Sequence, residues 1–291
     1  LKNLFVVPGV LLSYAFRPDG VEPDAWWLIA AGLASVCLVA SSNYVLNEIL
    51  DAKTDAFHKE KKERPLASGR VSVPMAYGEW GLLALVGLGV ALFVGPQLFV
   101  TVLILWIMGC VYNVPPVRTK DKPYLDVLSE SVNNPLRLAV GWFATGQTAW
   151  PTLSVLSAYW MFGAFLMALK RFGEYRHIAD EHAAGQYRRS FVHYSEERLM
   201  VTVLFYASLF GMFSGVFIAR YCIELVLATP LVALTMAYYV HLAYKPDSAV
   251  QYPEKLHRER KLCSLVALSA VACALLLFVR IPVLDAFFAP R

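Results

Sequence analysis

Charge is scarce in this chain: 16% of its 291 residues are Asp, Glu, Lys or Arg, against about 25% in an ordinary soluble domain. That shortage excludes a solvated globular surface, and it comes with 58% apolar residues and a mean hydropathy of +0.51. Cysteine is also sparse. Cys37, Cys110, Cys222, Cys263 and Cys273 fall in or beside apolar runs without metal-ligand spacing, which excludes a disulfide framework or a zinc site as the organising feature. The first apolar run carries Lys2 and Pro8 but neither the basic n-region nor the small-residue cleavage site of a signal peptide, so it reads as a first membrane span. No inverted repeat is evident, which weighs against a transporter.

What the chain does have is long apolar runs. Crossing the hydrocarbon takes about 20 such residues, and nine candidates emerge at 1–16, 26–50, 74–95, 97–113, 124–146, 150–172, 198–219, 222–244 and 261–284. The expected fold is therefore all-α, a polytopic nine-helix bundle forming one integral-membrane domain over 1–291. Basic residues crowd alternate connectors: Lys53 to Arg70 after span two, Arg118, Lys120 and Lys122 after span four, Lys170 to Arg198 around the span six to seven connection, and Lys245 to Lys261 after span eight. The positive-inside rule then puts those loops in the cytoplasm, with the N-terminus inside and the C-terminus outside. Topology accounts for the net charge of +4, so no nucleic-acid partner is expected; a homo-oligomer is left open.

Topology does not account for the polar residues that run from these loops into the helices. Asn43, Asn47, Asp51 and Asp55 stand four residues apart at the end of span two, so Asn47, Asp51 and Asp55 share one helical face. Carboxylates a turn apart repel, and burying them near lipid demands a cation or hydrogen bonds. Two carboxylates and an amide suit Mg²⁺, which leaves its other positions to water and substrate phosphate. The competing reading is a solvated helix end paired with Lys53 and Lys59. A second ladder opens span five with Asp126, Glu130 and Asn134, and Arg137 lies further in, to meet a phosphate or neutralise Glu130; Pro135 predicts a kink. Tyr112 and a rigid Pro115-Pro116 stretch precede Arg118 and Lys120. Lys170, Arg171 and Glu174 stand on the last turn of span six with Arg188 and Arg189 before span seven, and the lysine and arginines there supply phosphate-binding charge.

These residues resemble the UbiA-type intramembrane prenyltransferase superfamily. "NEILDAKTD" matches its N-x-x-x-D-x-x-x-D motif, "ERPLASGR" its R-P-(small)-x-G continuation and "YNVPPVRTKDKPYLD" its Tyr-Pro-Pro-Lys loop. The resemblance implies a nine-helix bundle with a cytoplasm-facing cavity in a bacterial plasma membrane, and a diphosphate donor held by Mg²⁺ on Asn47, Asp51 and Asp55. Ordinary members carry a D-x-x-x-D motif after helix six; here that place reads "KRFGEYR". That element, with "RRSFVHY" and "YPEKLHRERKL", is similar to the decaprenyl-phosphate phosphoribosyltransferase branch of arabinan assembly, whereas the Tyr-Pro-Pro-Lys loop is more like the aromatic prenyltransferases. Two enzyme readings follow: transfer of 5-phosphoribose to a polyprenyl phosphate, or of an isoprenoid to an aromatic or other lipophilic acceptor. In both, Asp51, Asp55, Asp126 and Lys120 are the expected catalytic groups. Lys61, Arg64, Tyr112, Arg118, Glu130, Asn134, Arg137, Lys170, Arg171, Glu174 and Arg189 are the expected substrate contacts. Asp126 and Glu130 would serve a second metal or ribose hydroxyls. A non-catalytic lipid-binding bundle or transporter stands as the third reading.

Overall fold

The computed structural model describes residues 2–17, 25–55, 61–178, 188–245, 248–251 and 253–288, and among them every regular element is helical. Two compact units divide the chain, Leu1–Pro151 and Thr152–Arg291. In the first, a 3₁₀ turn at Lys2–Val6 leads into α1 (Val7–Ala15), followed by α2 (Ala25–Asp55), α3 (Val73–Val94), α4 (Pro96–Asn113), α5 (Leu125–Ser131) and α6 (Asn133–Phe143). The second holds α7 (Leu153–Ile178), α8 (Glu196–Tyr221), α9 (Thr229–Ala243), α10 (Arg260–Phe278) and α11 (Pro282–Phe288).

Among the described residues seven helical segments are long and apolar enough to cross a membrane, with exposed side chains such as Leu85, Phe93 and Leu153 available to lipid. Most of their limits lie within a few residues of the sequence expectation; the first and fifth of the expected nine depart from it, the sixth runs on to Ile178 and the ninth stops short. The first is a short apolar segment, Asn3–Ala15. The fifth breaks in two at Val132, where Pro135 lacks the N–H that would bond Ser131 and the next bond, Leu136 N to Val132 O, stretches to 3.4 Å. The regular helix is thus interrupted in the turn before the proline. Proline also ends the ninth run early: α10 stops at Phe278, Val279 is extended, and Pro282 begins α11.

Within the lipid-facing shell, burial between apolar helices gives little driving force, so small residues and hydrogen bonds join them. Ser35 Oγ donates to Gly87 O at 2.7 Å and Ser42 Oγ to Trp80 O at 2.9 Å, fastening α2 to α3. Helices α1 and α6 touch backbone to backbone: a Cβ on Gly9 would lie 1.9 Å from Leu138 O, and one on Gly141 would lie 2.0 Å from Val6 O. Gly9→Ala should therefore force the pair apart and cost about 1–3 kcal/mol. A fall of several degrees in Tm of the detergent-solubilised protein is expected, and an unchanged Tm would rule the contact out as a constraint.

In the second unit, Ser195 caps α8 by accepting from Arg198 N at 3.2 Å, with Glu196 and Glu197 in the first turn and Arg220 in the last, all complementing the helix dipole. Thr235 and Ser269 hydroxyls meet at 2.9 Å between α9 and α10. At the far end of those helices, the fully buried Glu224 accepts from Ile281 N at 3.2 Å and Arg280 Nη1 at 3.4 Å, closing the turn after α10.

Candidate active site

The polar ladder of α2 remains helical through Asp55, so Asn47, Asp51 and Asp55 do lie on one stripe. Each is met by a different part of the first unit. Asp51 receives Lys120 Nζ on both oxygens at 2.8 Å and Arg118 Nη2 on Oδ1 at 2.8 Å. Asp55, 4% exposed, accepts from Arg64 Nη1 at 2.7 Å. Asn47 donates its amide N–H to Asn113 Oδ1 at 2.6 Å.

Local structure brings those cations in. Glu48 Oε1 accepts from Leu66 N at 3.0 Å, which fastens the loop after α2 back onto the helix and delivers Arg64 to Asp55. Gly69, at φ +73°, allows the turn that returns the chain towards α3. On the opposite side, Arg118 sits in the left-handed region at φ 31°, a conformation costly for a bulky residue. Three contacts hold it there: Nε to Asp121 Oδ2 at 2.9 Å, Nη1 to Asn113 O at 3.1 Å, and the bond to Asp51. The Thr119 and Ser129 hydroxyls, 2.8 Å apart, tie this loop to α5, whose first turn carries the fully buried Asp126. Lys120 is 7% exposed, and burial pushes its ammonium below the usual lysine range against the opposing pull of Asp51.

Asn113 and Glu48 were not anticipated. Asn113, 3% exposed, joins the two halves: Oδ1 accepts from Asn47 and from Lys120 Nζ at 3.0 Å, and Nδ2 donates to Gly109 O at 2.9 Å. Since an ammonium can only donate, Oδ1 must face Lys120; Asn47 must then present its N–H there and turn its own oxygen the other way. The sequence signal for Asn113 was an amide at the end of an apolar helix beside Tyr112. For Glu48 it was a carboxylate inside the ladder motif.

Among the described residues no three His, Cys, Asp or Glu side chains group as a metal cage. Two carboxylates and an outward-turned amide oxygen on one stripe instead fit a hard cation that completes its shell with phosphate and water. A metal on Asp51 and Asp55 would compete with Lys120, Arg118 and Arg64 for the carboxylate oxygens, a competition eased when those cations turn to another anion. A diphosphate is such an anion.

The remaining expected residues fall elsewhere. Arg137, on α6, donates to Asn3 Oδ1 at 3.2 Å and to Asn133 O at 3.3 Å. Tyr112, Glu130 and Asn134 are half-buried on α4, α5 and α6. The side chain of Lys61, like Lys59, lies outside the described residues. In the second unit, Glu174 is 9% exposed and pairs with Arg171 at 2.9 Å and Lys170 at 3.7 Å, and Arg188 also acts on it electrostatically. Arg189 is exposed at the start of the short helix Arg189–His193.

Seven membrane-length helices among the described residues are the architecture of an integral-membrane protein, and the longest of them ends in carboxylates paired with Lys and Arg. The UbiA prenyltransferase family matches residues 6–265, and the chain belongs to it. It is similar to the UbiA homolog from Archaeoglobus fulgidus solved with GPP and Mg²⁺, at a TM-score of 0.69 and 19% identity over 96% of this chain and 100% of that one. It is 34% identical over 88 residues to decaprenyl-phosphate phosphoribosyltransferase of Mycolicibacterium smegmatis, covering 30% of this chain and 28% of that protein. Protoheme IX farnesyltransferase 1 of Pseudomonas paraeruginosa is 37% identical over 84 residues, 29% of this chain and 27% of the relative. The chain thus matches less than a third of the length of these curated relatives.

Proposed function

We propose that this chain is a Mg²⁺-dependent intramembrane transferase, active at the cytoplasmic end of its helices, that moves 5-phosphoribose from phosphoribosyl diphosphate to a polyprenyl phosphate. The observation that carries the choice of donor is the cluster on α7. Lys170 and Glu174 stand four residues apart, the spacing of the D-x-x-x-D pair of ordinary members, but here that spacing joins opposite charges. With Arg171 on the same carboxylate and Arg188 near it, three cations surround one acid. Among the described residues this cluster sets three cations against one carboxylate, a set that suits a phosphate better than a second metal.

The chemistry asked of the residues is charge neutralisation. When bound, Mg²⁺ on Asp51, Asp55 and Asn47 supplies Lewis-acid stabilisation of the leaving diphosphate. Lys120, Arg118 and Arg64, displaced from those carboxylates, turn to the diphosphate oxygens and stabilise the charge that develops as the C1–O bond breaks. The acceptor phosphate is already anionic, so no strong base is needed; Asp126 and Glu130 are assigned to the ribose hydroxyls and Arg137 to a phosphate. The second reading, isoprenoid transfer to an aromatic or other lipophilic acceptor, is favoured by the Tyr-Pro-Pro-Lys loop and by the likeness to farnesyltransferases.

Purified protein in lipid, given phosphoribosyl diphosphate with a polyprenyl phosphate, is expected to release diphosphate and form a phosphoribosylated lipid of matching mass. Turnover only with prenyl diphosphate and an aromatic acceptor would overturn the choice of donor. No turnover with either pair would revive the lipid-binding reading.

A further inference from the structure

We propose that Asn113 is a positioning residue that keeps the Lys120 ammonium in place while its carboxylate partner is withdrawn. This inference rests on the reading of Asp51 as a ligand of the metal–diphosphate complex.

An ammonium has three N–H donors. In the structure two of them go to Asp51, Oδ1 and Oδ2 at 2.8 Å each, and the third to Asn113 Oδ1 at 3.0 Å. When Asp51 turns to a metal, two of the three anchors are lost together, and Lys120 finds itself buried beside a new cation. Like charge would drive a flexible four-carbon side chain away. The Asn113 anchor is neutral and does not depend on Asp51, so it survives the exchange. It leaves two N–H groups for phosphate oxygens.

The anchor is itself fixed. Asn113 Nδ2 donates to Gly109 O at 2.9 Å, so the carboxamide cannot turn over without losing a bond. Its oxygen also receives Asn47, which locks the amide of the carboxylate ladder and the lysine of the loop to one atom. Its backbone oxygen accepts from Arg118 Nη1 at 3.1 Å, so the second cation of the loop is referenced to the same residue. Gly109 is required for this arrangement: a Cβ there would lie 2.1 Å from Asn43 Cγ, leaving no room for the α2–α4 approach that brings Asn47 to Asn113. A residue serving only packing would need none of these polar contacts.

The test is a double-mutant cycle read in two ways on detergent-solubilised full-length protein. Affinity for inorganic diphosphate with Mg²⁺ is measured by titration calorimetry in wild type, Asn113→Leu, Lys120→Met and the double variant. The rate of amine-reactive labelling of Lys120 is followed by mass spectrometry, without any ligand, in the Asp51→Asn background, where the carboxylate that holds Lys120 is gone. Asn113→Leu is expected to weaken diphosphate binding about tenfold or more, the value of one hydrogen bond to a charged group, and to speed Lys120 labelling. It should add little in the Lys120→Met background. Asn113→Asp keeps an oxygen for Lys120 and should restore slow labelling, though the added negative charge leaves diphosphate binding weak. Equal loss from Asn113→Leu in both backgrounds, or unchanged labelling, overturns the proposal. Faster labelling in Asn113→Leu, in a protein whose wild type does not bind magnesium diphosphate, upholds the positioning role and overturns the diphosphate reading.

Discussion

Asp51→Asn is expected to lower turnover roughly 10²–10³-fold, the scale of losing one strong electrostatic contact to the developing charge. The substitution preserves shape and removes one negative charge, but that charge currently holds Lys120 and Arg118. Lys120 is 9% exposed in its side chain, so stripping its counter-ion leaves a nearly buried ammonium and should also destabilise the fold by about 3 kcal/mol. Fold and chemistry must therefore be separated. In the double variant Asp51→Asn, Lys120→Met, the buried charge goes with its partner, so Tm should recover while turnover does not. Recovery of turnover would remove Asp51 from the mechanism. The same ion-pair exchange makes a binding prediction for the unaltered protein. Arg64, Arg118 and Lys120 lie on the carboxylates that the proposed metal would use, and are in turn the groups that the proposed diphosphate would use. Mg²⁺ and inorganic diphosphate should each bind weakly alone and at least about tenfold more tightly together, a coupling of roughly 1.4 kcal/mol or more. Equal Mg²⁺ affinity with and without diphosphate would show that the carboxylates never change partners.

The ladder was legible because helix geometry repeats: residues four apart share a face whatever they contact, and α2 runs unbroken through Asn47, Asp51 and Asp55. Most spans were legible for the same reason that hydropathy works at all, since lipid demands long apolar runs. The fifth was not read as two helices, because Pro135 announces a kink without saying whether the chain continues as one span across it. The partners of the ladder were beyond a linear reading. Lys120 and Asp51 are 69 residues apart, and the Asn47–Asn113 bond bridges 66. Such pairs depend on which helices are neighbours, and one sequence does not encode that visibly. Glu48 shows a different limit: its role is to accept a backbone N–H, which any residue but proline at position 66 could donate, so its partner leaves no trace in side-chain chemistry.

On α7, Lys170 and Arg171 should part company under substitution. Lys170 is 29% exposed in its side chain and 3.7 Å from Glu174, an ion pair of the open, solvent-screened kind that adds little to stability. Lys170→Ala is expected to leave Tm unchanged and raise KM for phosphoribosyl diphosphate about tenfold or more, the loss of a charge-assisted contact to phosphate. Arg171 is 3% exposed and bonds Glu174 at 2.9 Å. Arg171→Ala leaves a buried carboxylate with weaker company and should cost about 3–5 kcal/mol of stability before any effect on binding is read. Lys170→Asp carries the argument further, because it recreates a carboxylate pair at the D-x-x-x-D spacing with Glu174. That variant should lose phosphoribosyl diphosphate binding, since the phosphate would now meet an acid where it had a cation. If the isoprenoid reading is correct, the same change supplies the missing second acidic motif, and prenyl transfer should hold or rise. The direction of the change at position 170 therefore distinguishes the two donors.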